Sequence, residues 1–199
     1  MPKKKKLPRY KITINAEDET GFDFVAFVDE PAIETNWMAF KNQIKFVADS
    51  ERKIVTGPLL IADMEIYRRN DTTGEEFNVV FEKPVIEQLI KKFMKKGYAH
   101  NVNEMHDANR LADGVYLFEI WQSDKSRGVL PPKGFNDLAD GSAFASYSIE
   151  NPEIWNNFIK TGEFKGFSIE GNFNLEEFKR QEPNEDEELG DIISFIEQL

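Results

Sequence analysis

The chain contains no cysteine among its 199 residues. This absence excludes disulfides, thiolate zinc sites and a cysteine nucleophile. There is also no run of about 18 or more apolar residues, so the sequence predicts no transmembrane helix. Lysines stand near the N-terminus, but the apolar segment of a signal peptide does not follow them. We therefore expect a protein that acts in the cytosol and has no membrane partner.

Histidine is scarce, with His100 and His106 as the only two in the chain. If a histidine acts as general base near neutral pH, there are two candidates. The acidic residues of 63–65 and 185–188 lack the spacing of a calcium loop, and no phosphate-binding glycine motif is present. We expect no metal and no cofactor.

The formal net charge is −11, and residues 175–199 hold nine acidic against two basic side chains. Nucleic-acid-binding domains are usually basic, so this balance argues against nucleic acid as a partner. The lysine-rich residues 1–9 predict a disordered basic arm. Residues 10–174 form the predicted domain, 175–190 an acidic linker and 191–199 a short amphipathic helix. A helix this short needs a docking surface on its own domain, a second subunit or a partner.

Short segments of alternating or apolar residues dominate the domain and predict strands. These segments are 10–15, 22–28, 44–47, 53–61, 78–81, 115–122, 142–149 and 164–173. Helical spacing and end signals predict helices over 83–97 and 151–160, whereas the polar residues 99–110 predict a loop that carries both histidines. The helices do not alternate regularly with the strands, so we expect an α+β domain around a mixed sheet or small barrel.

Ser168 stands in an apolar strand segment between Gly166 and Gly171. Glycines at such positions let another backbone or a substrate approach closely. A serine of this kind, or a histidine in a polar loop, is ordinarily a structural residue. Taken alone, these residues indicate no more than an α+β domain.

Several segments of residues 22–174 are together similar to one family. They are FVDEPAIETNWMAF (27–40), VTGPLLIADMEIYR (55–68), the helix region 81–97, the N-x-N…H pattern that ends at His106, VYLFEIWQSD (115–124) and WNNFIKTGEFKGFSIEG (155–171). In this order they resemble the phage prohead (capsid maturation) serine proteases of the XkdF-like branch. Ile120 stands where the family's strand pattern has a serine, and the segment around Ser168 is the most specific part of the resemblance.

The resemblance implies a fold related to the herpesvirus assembly proteases, which is a small mixed β-barrel wrapped by a few helices. It also implies a serine endopeptidase in which Ser168 attacks the peptide carbonyl and His106 takes its proton. The implied substrates are capsid and scaffold proteins, and also the enzyme itself, inside the assembling prohead in the host cytoplasm. Related viral proteases self-associate, so a homodimer is a candidate state.

A serine–histidine pair usually has a third group that orients the imidazole. We favour Glu119, because a carboxylate flanked by apolar strand residues needs a partner, although a salt bridge to a lysine would also satisfy it. Glu170 is the next candidate, since it lies two residues beyond Ser168 and therefore on the same face of a regular strand. Asp107 is so close in sequence to His106 that its direction is open.

Two other classes of function stay open from the sequence. The first is a non-catalytic structural or scaffolding virion protein that retains the protease fold, for which the acidic linker and terminal helix would serve as interaction segments. The second is a nucleic-acid-binding module that uses the lysine arm, which the net charge of −11 disfavours.

Overall fold

A computed structural model describes residues 7–15, 17, 19–29, 45–70 and 72–177, together with the backbone of 37–39. Most of the predicted basic arm, the greater part of the acidic linker and the whole of the predicted helix 191–199 lie outside these residues. The described part is a mixed α+β structure with 13 strands in three sheets.

The first sheet has the strand order β13-β1-β7-β6 and the second has the order β10-β11-β5-β4. The strands of the first sheet are β1 (Arg9–Thr13), β6 (Ile66–Arg69), β7 (Glu76–Val80) and β13 (Asn174–Glu177). Those of the second are β4 (Val47–Asp49), β5 (Ile54–Leu60), β10 (Val115–Gln122) and β11 (Ala143–Ile149).

The third sheet carries the residues that matter most for function, and its order is β3-β12-β2-β8-β9. Its strands are β2 (Gly21–Val28), β3 (Trp37–Ala39), β8 (Val102–Glu104), β9 (Asp107–Leu111) and β12 (Gly166–Asn172). β2 is parallel to β8 and antiparallel to β12, so the sheet is mixed.

An aromatic cluster joins the second and third sheets. The ring of Tyr147 on β11 lies 5.3 Å from the ring of Phe27 on β2 and 5.0 Å from that of Phe167 on β12. All three side chains are at most 3% exposed and belong to one continuous hydrophobic core. Close packing of this kind fixes the third sheet relative to the second.

The longer helix, α1 (Lys83–Lys96), confirms the prediction from local signals. Pro84 lies in its first turn, and Gly97 ends it in the left-handed conformation with φ 74°. Its apolar stripe is buried through Ile86, Leu89 and Phe93. Phe93 stacks on Phe22 of β2 at 4.3 Å, which attaches the helix to the third sheet.

The shorter helix also begins where the sequence predicts. Asn151 is its N-cap, and the Asn151 side chain accepts hydrogen bonds from the backbone N–H groups of Glu153 and Ile154. The first turn, α2 (Pro152–Ile154), continues as a π-helical turn over Trp155–Ile159. Trp155 and Ile159 are buried and belong to the hydrophobic core, so this helix packs against it.

The expected α+β class is confirmed, but the sheets do not form a closed barrel in the described part of the chain. Several strands were missed. The predicted loop 99–110 contains the strands β8 and β9, and β6 pairs with β7 in a hairpin that was not expected. At the C-terminal side, β13 pairs with β1 and crosses the predicted boundary between residues 174 and 175.

Within the described residues, no helix is long and apolar enough to cross a membrane.

Candidate active site

The alternation of β12 places Ser168 and Glu170 on one face of the third sheet. Phe167 and Ile169, the residues between, are buried in the hydrophobic core on the other face. Ser168 pairs with Ala26 of β2 on one side and with Ala39 of β3 on the other. Ser168 and Ala26 are both 0% exposed, so the serine lies within the protein.

His106 lies in the two-residue turn between β8 and β9. Glu104 pairs with Asp107 across this turn, and the two central residues both have positive φ, 52° for Met105 and 62° for His106. Two positive φ values are the mark of a type I′ hairpin turn, which glycine and asparagine normally supply. Since each non-glycine residue held this way costs on the order of 1–3 kcal/mol, the surrounding structure has to enforce the turn.

The turn brings the imidazole of His106 to Glu170. Nδ1 of His106 lies 3.0 Å from Oε1 of Glu170, and the His106 side chain is 1% exposed while that of Glu170 is 23% exposed. Because Glu170 shares its strand face with Ser168, the imidazole lies beside the serine strand. A carboxylate at Nδ1 favours the tautomer with hydrogen on Nδ1, which leaves Nε2 as the proton acceptor.

A second side chain contacts the same carboxylate oxygen. The amide Nδ2 of Asn103 donates a hydrogen bond to Oε1 of Glu170 at 2.6 Å, and Asn103 is 1% exposed. Asn103 pairs with Ala26, which in turn pairs with Ser168, so the three residues form one row across the sheet. In the sequence, Asn103 stands out only as part of the N-x-N pattern, because β8 was not predicted.

The structure does not bring Glu119 into this group. Glu119 pairs with Ser146 in the second sheet and is exposed. It lines an open groove whose other residues are Met94, Phe118, Ile120, Trp121, Val129 and Leu130. The structure therefore offers Glu170, and not Glu119, as the carboxylate in contact with His106, and solvent satisfies the exposed carboxylate of Glu119 without a histidine.

The remaining candidates around the turn have local partners. The carboxylate of Asp107 accepts a hydrogen bond from the backbone N–H of Asn109 at 2.9 Å, so it has a partner two residues further along the chain. The carboxylate of Glu104 forms an ion pair with Arg110 of β9. His100 is removed from the site and packs against Tyr116 of β10, with the rings 5.7 Å apart.

Gly171 has a structural reason for being glycine. A Cβ at this position would lie 2.0 Å from the carbonyl oxygen of Gly21, because β12 has a bulge between Glu170 and Gly171. The close approach is therefore to the neighbouring strand β2. Because the bulge directly follows Glu170, it affects the position of the Glu170 carboxylate on this strand.

Across the described parts of the chain, no group of three or more acidic, histidine or cysteine side chains is arranged to hold a metal ion. No protein-family model matches the chain, and neither the curated proteins nor the solved structures contain a significant match. The site therefore has to be interpreted from its own geometry.

Proposed function

We propose that the chain is a serine endopeptidase in which Ser168 is the nucleophile, His106 the general base and Glu170 the orienting carboxylate. The observation that carries this proposal is the 3.0 Å contact of His106 Nδ1 with Glu170 Oε1, on the strand face that also carries Ser168. A serine hydroxyl needs an adjacent base to become a nucleophile, and the base needs a group that holds its tautomer.

The proposed reaction follows from this order of groups. Oγ of Ser168 attacks the peptide carbonyl while its proton passes to Nε2 of His106, and Glu170 stabilises the imidazolium through Nδ1–H. The imidazolium then protonates the leaving amine, which departs as the C–N bond breaks and leaves an acyl-enzyme. Water, deprotonated by His106, hydrolyses this ester and restores Ser168.

The resemblance described above supports a narrower form of the proposal. In this form the substrates are capsid and scaffold proteins of a phage prohead, in the host cytoplasm. The mixed α+β architecture is compatible with this form, although it is not specific to it.

One observation favours a second candidate, a structural virion protein that retains the protease fold. Ser168 is 0% exposed and the His106 side chain 1% exposed, so a substrate carbonyl reaches Oγ only after neighbouring chain has moved. A protein without activity would have no need for that movement.

A fluorophosphonate separates the two candidates, because an activated serine displaces its fluoride and forms an Oγ–P bond. We would incubate the full-length protein with this reagent and locate the adduct by intact mass and peptide mapping. Ser168→Ala, His106→Ala and Glu170→Gln should each abolish or strongly reduce labelling. The matched controls are His100→Ala and Ser146→Ala, since Ser146 is also a buried strand serine, bonded to Thr56.

Co-expression with capsid and scaffold proteins then tests the narrower form. Specific cleavage that is lost in Ser168→Ala and His106→Ala, with folding retained, would support the prohead protease and map its sites. Labelling or cleavage that survives Ser168→Ala would contradict the proposed nucleophile. If wild type neither labels nor cleaves, the structural candidate is favoured.

A further inference from the structure

Beyond the three proposed catalytic groups, the site contains a fourth polar side chain that is almost entirely buried. Asn103 is 1% exposed and reaches the carboxylate of Glu170 from β8, two strands away from β12. We propose that Asn103 is a positioning residue, which holds Glu170 so that its Oε1 faces Nδ1 of His106. This inference rests on the proposed protease function for its consequence, but the positioning itself can be measured separately.

The first support is that two side-chain nitrogen atoms meet at one oxygen. Oε1 of Glu170 lies 2.6 Å from Nδ2 of Asn103 and 3.0 Å from Nδ1 of His106. A glutamate side chain has several rotatable bonds, and ordering it costs up to about 2 kcal/mol of conformational entropy. The bond from Asn103 removes part of this freedom, so the carboxylate is already oriented when the imidazole needs it.

The second support is the way in which the fold makes room for this bond. Asn103 and Glu170 belong to strands that flank β2, and the residue of β2 in register with both Asn103 and Ser168 is Ala26. Alanine has the smallest side chain with a Cβ, so Asn103 can reach across β2 towards β12. A larger residue at Ala26 would fill the space between the asparagine and the serine strand.

The third support is that the arrangement is costly for stability. Oδ1 of Asn103 is buried and accepts no hydrogen bond in the described structure. A buried acceptor without a donor costs about 1–3 kcal/mol. An apolar residue at position 103 would avoid this cost, so the benefit of the amide lies in what Nδ2 does for Glu170.

The test is the tautomer of His106, read from the imidazole nitrogen shifts in long-range ¹H–¹⁵N spectra of the full-length protein. The chain has only two histidines, so His106→Ala assigns both sets of signals and His100 serves as an internal reference. In wild type we expect His106 in the form with hydrogen on Nδ1. In Glu170→Gln, the positive control, that form should lose its dominance.

Two variants remove the donor in different ways. Asn103→Ala deletes the amide, and Asn103→Asp keeps its shape but replaces the donor with an acceptor. The matched control is Asn101→Ala, which removes the neighbouring asparagine of the N-x-N pattern, whose Nδ2 bonds to the backbone oxygen of Asp23 instead. If Asn103→Ala fails to fold, Asn103→Ser replaces it with a smaller polar residue.

We expect both Asn103 variants to shift His106 towards the other tautomer and Asn101→Ala to leave it unchanged. If the protein cleaves peptide substrates, kcat should also fall about 100-fold with little change in KM, as expected when a catalytic group is displaced by about 1 Å. An unchanged His106 spectrum in the folded Asn103 variants would overturn the proposal. The same shift in Asn101→Ala would also overturn the proposal, because the shift would then reflect a general loosening of the structure around β8.

The spectral test does not depend on activity. A wild type without activity but with the Asn103-dependent tautomer would reject the protease function and keep the positioning role. Activity that needs Ser168 and His106 but does not change in the Asn103 variants would keep the protease function and reject the positioning role.

Discussion

Arg68 on β6 gives a prediction whose size can be worked out from the structure. Its side chain faces the protein interior and the residue is 6% exposed. Nη1 donates a hydrogen bond to the backbone oxygen of Tyr67 at 2.9 Å, whereas Nε and Nη2 are buried without a partner in the described structure. Burial lowers the pKa of Arg68 from its ordinary value to about 10.

This pKa shift indicates that the buried charge destabilises the fold. At about 1.4 kcal/mol for each pKa unit, the cost of keeping Arg68 charged in the folded state is about 3 kcal/mol. The hydrogen bond to Tyr67 offsets about 1 kcal/mol of this cost. We therefore expect Arg68→Met, which keeps an unbranched apolar side chain and removes the charge, to stabilise the protein by about 2 kcal/mol.

Urea denaturation at pH 7 measures the free energy of unfolding directly, and a thermal scan should show Tm raised by about 4–8 °C. Arg69→Met is the matched control, because Arg69 is the next residue on the same strand but is exposed. Its replacement should change the free energy of unfolding by less than about 0.5 kcal/mol.

The pH dependence provides a second check. Below the folded pKa of Arg68, about 10, the arginine is protonated in both the folded and the unfolded states, so its full cost is present. Above that pH the folded protein loses the proton first, and wild type regains stability relative to the variant. The advantage of Arg68→Met should thus narrow only above about pH 10. A variant that is less stable than wild type at pH 7 would refute this reasoning and reveal an attractive partner for Arg68.

Three further predictions concern single contacts. Tyr147→Phe should stabilise by about 1 kcal/mol in urea denaturation, because the Tyr147 hydroxyl is buried and has no partner among the described residues. Burial also raises the pKa of Tyr147, so wild type should lose more stability above pH 10 than the variant does, and equal alkaline profiles would contradict this. Gly171→Ala should destabilise by at least about 2 kcal/mol in the same assay, because the added Cβ would lie 2.0 Å from the backbone oxygen of Gly21. A smaller loss of stability would argue against the close approach of β12 to β2 at this residue. The hydrogen bond from Lys83 at 2.8 Å lowers the pKa of Asp140, so wild type loses this stabilising contribution as pH falls below the ordinary carboxyl range. In an acid titration, the free energy of unfolding of Asp140→Asn should therefore decline less steeply than that of wild type. An equal decline in the two proteins would count against the pair.

The helices were predictable because their signals are local. Pro84, the apolar stripe and Gly97 define α1 within 14 consecutive residues, and the cap and first turn of the second helix lie within four. Capping and helical spacing depend on neighbours in sequence, which a single chain displays directly.

The hairpin that carries His106 was missed for the opposite reason. Residues 99–110 are polar, and the turn at Met105–His106 has neither glycine nor asparagine, so no local signal predicts two strands. The strand β8 forms because it pairs with β2, in which the partner of Val102 is Val25, 77 residues earlier in the chain. A backbone hydrogen bond from Met105 to Phe27 holds the turn against that strand.

The sequence by itself determined which chemical groups the protein has: two histidines, no thiol, and a glutamate two residues beyond Ser168 on the same strand face. It did not determine which carboxylate meets His106, since Glu119 and Glu170 both stand in apolar strand segments. The tertiary structure decided this, because β2 lies between β8 and β12 in one sheet and only Glu170 belongs to that sheet. Strand order depends on pairing between residues far apart in the chain, and the spacing of residues along one strand does not encode it.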